Sequence, residues 1–505
     1  MTSDASRRAA SWVWAGITFA GLAVIAVAQV GLAHEGEVRG SLRSTDLYNT
    51  KLGATVLDTR LDAEGEFSYF TLGSTYRGYH LSDTHYNPRG IEVPQPIMKH
   101  RYAEFRVDSL GPAGSIFLRA GHFFATFDRG LTLRSFEDVD LEKDTALDGI
   151  LGEYQVGGLK LSGLSGKATE RVSDIQYNEH RLSGGRVVVA REGLVSVAAS
   201  ALARETERHD KERALPAALS KFYDTVLGGE AELWLGPTHL VGDYAHRQGD
   251  YYPDLRQGKL GGHAGYVSGT VSTQWLTLLG EYKQYWRFTD LLVNPPTCVR
   301  EHLSTLMNRT THVVDLADER GYLAEGTLTV LKDTPITFSA SEARKANRDL
   351  AHWEMFGQLE RPITDLVGTT WGGAWSREYS GGGLTEYKTG MLEGQVTPQS
   401  GKGVDFGFGL QTVEEHPKPV FNNYLGSLTF YPTDAITLSA VAEGTNQDGL
   451  KQNVWVYGEV GVNVAEGLDA SIGGGSERGG KKCSGGVCYT EPEFTGVRLR
   501  FSKSF

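Results

Sequence analysis

The chain has 505 residues, of which 40% are hydrophobic, and a formal net charge of −12. This acidic balance argues against nucleic acid as a partner, because binding to phosphates relies on Lys and Arg. Beyond the N-terminal segment no stretch is apolar for long enough to cross a membrane as a helix. A transmembrane strand, however, needs only about ten residues, every second one apolar.

The N-terminal segment predicts export. Arg7 and Arg8 precede a mostly apolar run at 9–27, and small-residue cleavage sites follow at 26–28 and 31–33. Charged, apolar and small-residue regions in this order are typical of a secretory signal peptide. We therefore predict a cleaved signal peptide at 1–33 and one mature domain at 34–505, with a retained membrane anchor as the alternative.

The mature region alternates between apolar and polar residues. In residues 454–464 every valine has one parity, and Trp455, Tyr457 and Glu459 have the other. Successive side chains of a strand point to opposite faces, so each such segment has one apolar and one polar face. Repetition of this pattern through the mature region, with no helical segment between, favours one large closed sheet.

Short turns divide this region into hairpins, and most contain the Gly, Pro, Asp or Ser that turns require. The predicted turns are Ser68-Tyr69, Gly111-Pro112, Gly157-Gly158, Glu192-Gly193, Gly236-Pro237, Ser272-Thr273, Asp333-Thr334, Ile363-Thr364, Ser400-Gly401, Thr433-Asp434 and Glu466-Gly467. With a first strand near 35–44 and a last strand ending at Phe505, they predict an all-β fold. It is a single transmembrane, antiparallel, up-and-down β-barrel of about 24 strands (range about 20–26), with the short turns on the periplasmic side.

Two longer connections carry the candidate constriction residues. A loop with apolar anchors and a charged centre could fold into the lumen and narrow it, and clusters of charge are how pores select solutes. The alternative is a pair of solvated outer loops, the first packed through Phe123, Phe124 and Phe127. The candidates are Asp128, Arg129, Arg134, Glu137, Asp138, Asp140, Glu142 and Asp144 in the first loop and Arg300, Glu301 and His302 in the second.

We expect Asp128 and Glu137 to face Arg129, Arg134 or Arg300 across the constriction. In the second loop, Leu303, Leu306 and Met307 suit a short amphipathic helix that covers the pore mouth.

The cysteines predict one small disulfide. Cys483 and Cys488 lie in a short loop before the last strand, and an oxidising compartment favours their pairing over free thiols. That loop contains no His, so a metal knuckle is not expected, and Cys298 has no evident partner. The sequence predicts neither a metal site nor a cofactor.

The last strand carries a predicted assembly signal. Val497, Leu499, Phe501 and Phe505 share one parity. This strand resembles the closing strand of bacterial outer-membrane barrels, whose terminal aromatic strand is read by the barrel-assembly machinery. Lys503 departs from that pattern. The resemblance implies outer-membrane lipid and the assembly machinery as partners.

Several short motifs resemble a family of outer-membrane barrels of unassigned function from Bacteroidetes-like bacteria. They are Gly-His-Phe-Phe at 121–124, Arg-Gly-Leu at 129–131, Ala-Leu-Asp-Gly at 146–149, and the loop that begins with Asn-Pro-Pro at 294–296 and ends with Arg-Glu-His at 300–302. The first loop is also weakly similar to alginate-type polysaccharide export barrels. The resemblance implies the fold and the outer membrane, and it supplies no activity.

These observations favour a channel or exporter with a polar lumen narrowed by in-folded loops. The alternative is a scaffold barrel that sheathes a periplasmic or surface partner, such as a redox protein or polysaccharide-secretion machinery. An enzyme is disfavoured and no catalytic residue is predicted, because no Ser and His have the spacing of a nucleophile and its base.

Overall fold

The computed structural model describes residues 37–51, 53–82, 97–139, 143–171, 176–210, 221–250, 259–288, 292–302, 304–310, 312–313, 315, 317–331, 333–345, 349–380, 383–398, 402–484 and 487–505. The predicted signal peptide, Asp140, Glu142, Leu303 and the predicted turn at Ser400-Gly401 lie outside the described residues.

Twenty-four strands form one antiparallel sheet in which each strand pairs with the next along the chain. The barrel strands are β1 (Glu37–Asn49), β2 (Ala54–Phe67), β3 (Phe70–Leu81), β4 (Ile97–Val107), β5 (Ser115–Phe123), β10 (Leu147–Val156), β11 (Leu159–Arg171), β12 (Gln176–Arg191), β13 (Val195–Asp210), β14 (Lys221–Leu235), β15 (Thr238–Asp250), β16 (Lys259–Ser272), β17 (Leu276–Trp286), β18 (Asp318–Leu331), β19 (Thr334–Lys345), β20 (Leu350–Thr364), β21 (Val367–Ser380), β22 (Gly383–Val396), β23 (Gly403–Glu415), β24 (Phe421–Thr433), β25 (Ile436–Thr445), β26 (Val454–Ala465), β27 (Leu468–Glu477) and β30 (Phe494–Ser504).

The connections between these strands contain short elements. Three two-stranded pairs are β6 (Thr126–Phe127) with β7 (Leu133–Arg134), β8 (Glu137–Asp138) with β9 (Lys143–Asp144), and β28 (Gly480–Ser484) with β29 (Val487–Glu491). Two 3-10 turns (Gly111–Ala113 and Asp128–Gly130) and the helix α1 (Thr305–Asn308) complete the described structure. Within the described residues, none of the helices is long and apolar enough to cross a membrane.

The barrel closes between its first and last strands. β1 pairs with β30, and at the end of this seam the Gly40 amide donates to the Phe505 carbonyl (2.8 Å) while the Phe505 amide donates to the Gly40 carbonyl (3.0 Å). Closure leaves no unpaired edge, which a membrane barrel requires because lipid cannot satisfy backbone groups. The predicted barrel class and the count of 24 strands are therefore confirmed.

The hairpin turns lie where the local sequence allows them. For example, β10 and β11 are joined at Gly157 and Gly158, and Gly157 has φ of +54°, a left-handed conformation that glycine adopts without strain. One predicted turn is displaced, because Ile363 and Thr364 end β20 and the turn lies at 365–366. The first strand is also longer than predicted and continues to Asn49.

The apolar face of the sheet points outward. On β26, Val454 and Val456 are 63% and 54% exposed, whereas Trp455 and Tyr457 are 4% and 8% exposed. On β30, Phe501 is 40% exposed, whereas Arg498 is buried and pairs with Glu477. A soluble barrel would bury its apolar face, so this arrangement has the polarity of a barrel that faces lipid.

We expect the two rims to be distinguishable on intact cells. An epitope inserted between β28 and β29 should be labelled from outside, and an epitope inserted at Gly193, between β12 and β13, should be labelled only after permeabilisation. The reason is that successive turns alternate between rims and that β30 runs toward the rim assigned to the periplasm. The opposite labelling pattern would invert the topology.

Candidate functional site

Two long connections lie against the polar inner face of the barrel. Loop 1 is the segment 124–146 between β5 and β10, and loop 2 is the segment 287–317 between β17 and β18. Their described side chains contact several barrel strands besides the strands that they join. These contacts define the candidate site.

The tip of loop 1 docks against β12, β13 and β14 through Asp128, whose side chain is fully buried. Its carboxylate accepts hydrogen bonds from Thr132 Oγ1 (2.6 Å), from Arg186 Nε (3.3 Å) and from the Ser200 hydroxyl. Gly228 on β14 makes this approach possible, because a Cβ atom there would overlap the Asp128 carboxylate and the Thr132 hydroxyl. The tip therefore occupies space on the inner wall that any residue larger than glycine at position 228 would fill.

The backbone of this tip is held in an unfavourable conformation. Asp128, Arg129 and Gly130 have φ of +50°, +49° and +89° in succession. A left-handed backbone costs a non-glycine residue on the order of 1 kcal/mol. The side-chain contacts compensate for this cost, since the Arg129 guanidinium pairs with Glu232 and its Nε lies 3.6 Å from Asp243 Oδ2.

The other end of loop 1 is anchored on β2. Arg60 forms a two-pronged ion pair with Glu137, with Nη1–Oε1 and Nη2–Oε2 distances of 2.6 and 2.9 Å. The Nε atom of Arg60 also donates to Asp62 Oδ2 (2.9 Å). Planar pairs of this kind are stronger than single contacts and fix orientation.

Loop 1 is also anchored on β4. Asp144 Oδ2 lies 3.2 Å from Lys99 Nζ and 3.0 Å from His100 Nε2. Burial by itself would raise the pKa of Asp144, but His100 and Lys99 stabilise its charge and the net effect is a pKa well below the ordinary value. Loop 1 therefore contacts the inner wall on both sides of β5 and β10, the two strands that it joins.

Loop 2 is anchored on β18, β20, β23 and β25. Arg300 pairs with Glu325 on β18, and Arg309 pairs with Glu443 on β25. His302 Nε2 lies 2.9 Å from Glu354 Oε1 on β20. The helix α1 lies over β23, where Gln411 Nε2 donates to the Leu306 carbonyl (3.0 Å).

A buried ionic cluster fixes the end of loop 2. His312 Nε2 lies 2.9 Å from Glu319 Oε2, and Lys283 Nζ lies 2.5 Å from Glu319 Oε1. The ring of His352, itself fully buried, stacks on His312 with 5.1 Å between centroids. Opposite charges compensate one another in this cluster, which is the condition for burying them.

The two loops contact each other within the barrel. The Asn294 amide donates to the Gly130 carbonyl (3.1 Å), and the Arg134 amide donates to the Leu292 carbonyl (2.7 Å). Arg134 Nη1 also lies 3.3 Å from the Asn294 carbonyl. Loops 1 and 2 thus form one continuous layer with anchors from β2 to β25.

The charged residues pair differently from the sequence-based expectation. Asp128 and Glu137 bind Arg186 and Arg60 on the wall, not Arg129, Arg134 or Arg300. Asp138 lies opposite Lys143 in the β8–β9 pair, and Glu301 is exposed beside Arg300. Asp128, Glu137 and Asp144 each meet a cationic or imidazole side chain of the wall, because only tertiary structure decides which lumen-facing residue lies beneath a loop.

The remaining predictions concern the alternative loop packing, the helix in loop 2 and the cysteines. Phe123 and Phe127 are buried and Phe124 is 37% exposed. The short helix is present as α1, with Leu306 and Met307 buried. Cys298 is a buried free thiol, and burial raises its pKa to about 12.

The predicted disulfide stays a prediction. Cys483 and Cys488 are directly opposed in the β28–β29 pair, and their side chains lie outside the described structure. Opposed residues of antiparallel strands have Cα atoms about 4.5–5.5 Å apart, within the range that a disulfide spans.

The residues missed from sequence are those of the wall. Arg60, His100, Arg186 and Glu354 have no motif around them, and their only sequence signal is polar parity within a strand. Lys99 has the parity opposite to His100 and lies at an irregularity of β4, which the sequence does not signal. Among the residues that the structure describes, one grouping could hold a metal ion: a ligand atom from each of His100, Glu137 and Asp144 lies within 4.8 Å of the others.

Comparison with known proteins supports the family and the fold. Residues 49–335 match the model of DUF6029, described as a family of unknown function. No curated protein matches the sequence. A chain of the E. coli P pilus tip assembly intermediate PapC-PapD-PapK-PapG is similar in fold, with a TM-score of 0.53 and 11% identity over 93% of this chain. This chain spans 60% of the length of that chain. The siderophore receptor PirA from Pseudomonas aeruginosa gives a TM-score of 0.47 and 9% identity, covering 93% of this chain and 80% of the receptor.

Proposed function

The chain belongs to the DUF6029 family, which assigns no activity, and we propose from its own geometry that it is an outer-membrane channel. Solute passes through a polar lumen whose width and charge preference are set by loops 1 and 2. The observation that carries this proposal is the layer that these loops form inside the barrel, anchored from Arg60 on β2 to Glu443 on β25.

The chemistry of this layer suits selection by charge. Its ion pairs are partly or fully buried, so they are less screened by salt than surface pairs and hold the loops in one arrangement. Loop 1 presents carboxylates and guanidinium groups at defined places on the wall. Fixed charges at a narrow point select solutes by sign and size.

The second candidate function is a scaffold barrel that holds a periplasmic or surface protein. The density of anchors on both loops favours it, because a firmly anchored layer can close a lumen as well as narrow it. The barrel would then assemble normally and carry no ions.

We expect charge neutralisation in loop 1 to alter ion selectivity. The variant Glu137→Gln, Asp138→Asn, Asp140→Asn removes three negative charges and leaves the Arg60 charge less compensated. In a planar bilayer with a salt gradient, its reversal potential should shift toward anion preference relative to the wild-type chain. Higher salt should reduce the shift, since the Debye length is about 10 Å at 0.1 M.

The matched control removes three carboxylates from the outer face of the wall. Glu179, Glu205 and Glu207 have the parity opposite to the buried His180 and Arg204, so their replacement by Gln should leave the reversal potential unchanged. Equal reversal potentials for loop 1 variant and wild type, in protein that conducts, would place loop 1 outside the path. If the folded wild-type barrel does not conduct, the proposal of a channel is wrong and the scaffold function is favoured.

A further inference from the structure

The carboxylates of the β8–β9 pair face a histidine of the barrel wall. Glu137 and Asp144 are direct partners across this pair, so their side chains lie side by side on one face. His100 on β4 is 5% exposed, and its Nε2 and Nδ1 lie 3.0 Å from Asp144 Oδ2 and 4.0 Å from Glu137 Oε2. Two loop carboxylates and one wall imidazole therefore converge within 4.8 Å.

A second histidine lies next to this group. The rings of His100 and His122 are 5.4 Å apart between centroids. Nδ1 of His122 lies 3.3 Å from the backbone of Arg101, so coordination by this residue would use Nε2. Phe124 packs edge-on against His100 at 5.6 Å and supplies an apolar boundary.

We propose that His100, Glu137 and Asp144 bind a divalent transition-metal ion of the Zn²⁺ class, with His122 as the nearest additional ligand. Imidazole and carboxylate together are a donor set that Zn²⁺ accepts, whereas Ca²⁺ and Mg²⁺ take oxygen ligands. Ligand atoms about 2.0–2.1 Å from zinc lie about 3.3 Å from one another. Only one nitrogen of His100 can bind the ion, and with one ligand atom taken from each residue the three atoms lie within 4.8 Å of one another, so side-chain movements of about 1–2 Å bring them to these separations.

The surrounding charges are compatible with a bound cation. Arg60 contacts Glu137, but it also contacts Asp62, and Lys99 contacts Asp144. With neutral histidines, the charges of Glu137 and Asp144 balance those of Arg60 and Lys99, and Asp62 adds a third carboxylate that also interacts with Arg43. Each carboxylate oxygen has two acceptor positions, so a contact to Arg60 or Lys99 can persist when the metal binds.

The metal would join loop 1 to the wall. His100 belongs to β4, whereas Glu137 and Asp144 belong to the loop, so the ion crosslinks two parts of the chain that otherwise meet through side-chain pairs. This site departs from the sequence-based expectation of no metal, and it does not depend on conduction through the barrel.

The test measures the binding of Zn²⁺ to the full chain, folded in detergent, by isothermal titration calorimetry with ZnCl₂ at neutral to slightly basic pH. We expect one ion per chain. His100→Gln and Asp144→Asn should each weaken the affinity for Zn²⁺ by more than about tenfold. A loss of this size is known even for changes to residues that only support the ligands of a metal. The control is His180→Gln, because His180 is equally buried but faces a single carboxylate, Glu170. The Zn²⁺ affinity of the His180→Gln variant should equal that of the wild-type chain.

A spectroscopic readout separates lost ligation from lost structure. Co²⁺ added to the wild-type barrel should give a visible absorption band that His100→Gln alters and His180→Gln preserves, with circular dichroism confirming the strand content of each variant. Absence of zinc binding by the folded wild-type chain, equal affinity in all variants, or tighter binding of CaCl₂ than of ZnCl₂ would each overturn the proposal.

Discussion

Replacing Gly228 by Val is expected to expel the tip of loop 1 from the wall and to increase single-channel conductance severalfold. A side chain at this position overlaps the Asp128 carboxylate and the Thr132 hydroxyl. Displacing Asp128 also removes its contacts to Arg186 and Ser200, and breaking a buried pair costs about 3–5 kcal/mol when one partner is left behind. The tip, already held in a left-handed backbone, has no comparable position to adopt.

The measurement is conductance in planar bilayers, with protease accessibility of loop 1 as a readout that does not require conduction. Gly242→Val on β15 is the matched control, because a Cβ atom at Gly242 meets nothing within 4 Å. Gly242→Val should behave as wild type in both assays. If Gly228→Val leaves both conductance and protease accessibility unchanged, the docked tip does not control the lumen.

Changes to the last strand are expected to reduce the amount of barrel in the outer membrane. Deletion of Phe505 removes the two backbone hydrogen bonds that end the seam with Gly40. Phe501→Asp places a charge on the exposed apolar face, which costs up to about 2 kcal/mol, and less near the interface than at mid-membrane. Both variants should accumulate less folded barrel in outer-membrane fractions than the wild-type chain.

Ser502→Asp is the control that tests which face of the sheet each side chain occupies. Ser502 is the neighbour of Phe501 and has the parity of the buried Arg498, so its side chain is expected to point into the lumen, where a charge is tolerated. Its outer-membrane level should remain close to that of the wild-type chain. If Phe501→Asp and Ser502→Asp lower the outer-membrane level equally, the assignment of the two faces is wrong. If the chain without Phe505 reaches the wild-type level, the terminal aromatic residue is not part of the assembly signal.

The sequence by itself determined the barrel. Alternation at period two and turn residues are local properties, so they predicted the strand count, most turns and the faces of residues such as Val454 and Trp455. The pairing of β1 with β30 followed from the same count, because an up-and-down sheet of this size closes through its two ends.

Only the tertiary structure decided what loops 1 and 2 contact. Glu137 meets Arg60, which is 77 residues earlier in the chain, and Arg309 meets Glu443, which is 134 residues later. Such partners depend on the stagger of strands and on the path of each loop across the interior, and neither is encoded in a short window. For the same reason His100 showed no sign of a metal ligand until β4 and the β8–β9 pair were placed together, and Gly228 showed no role until the tip of loop 1 lay against it.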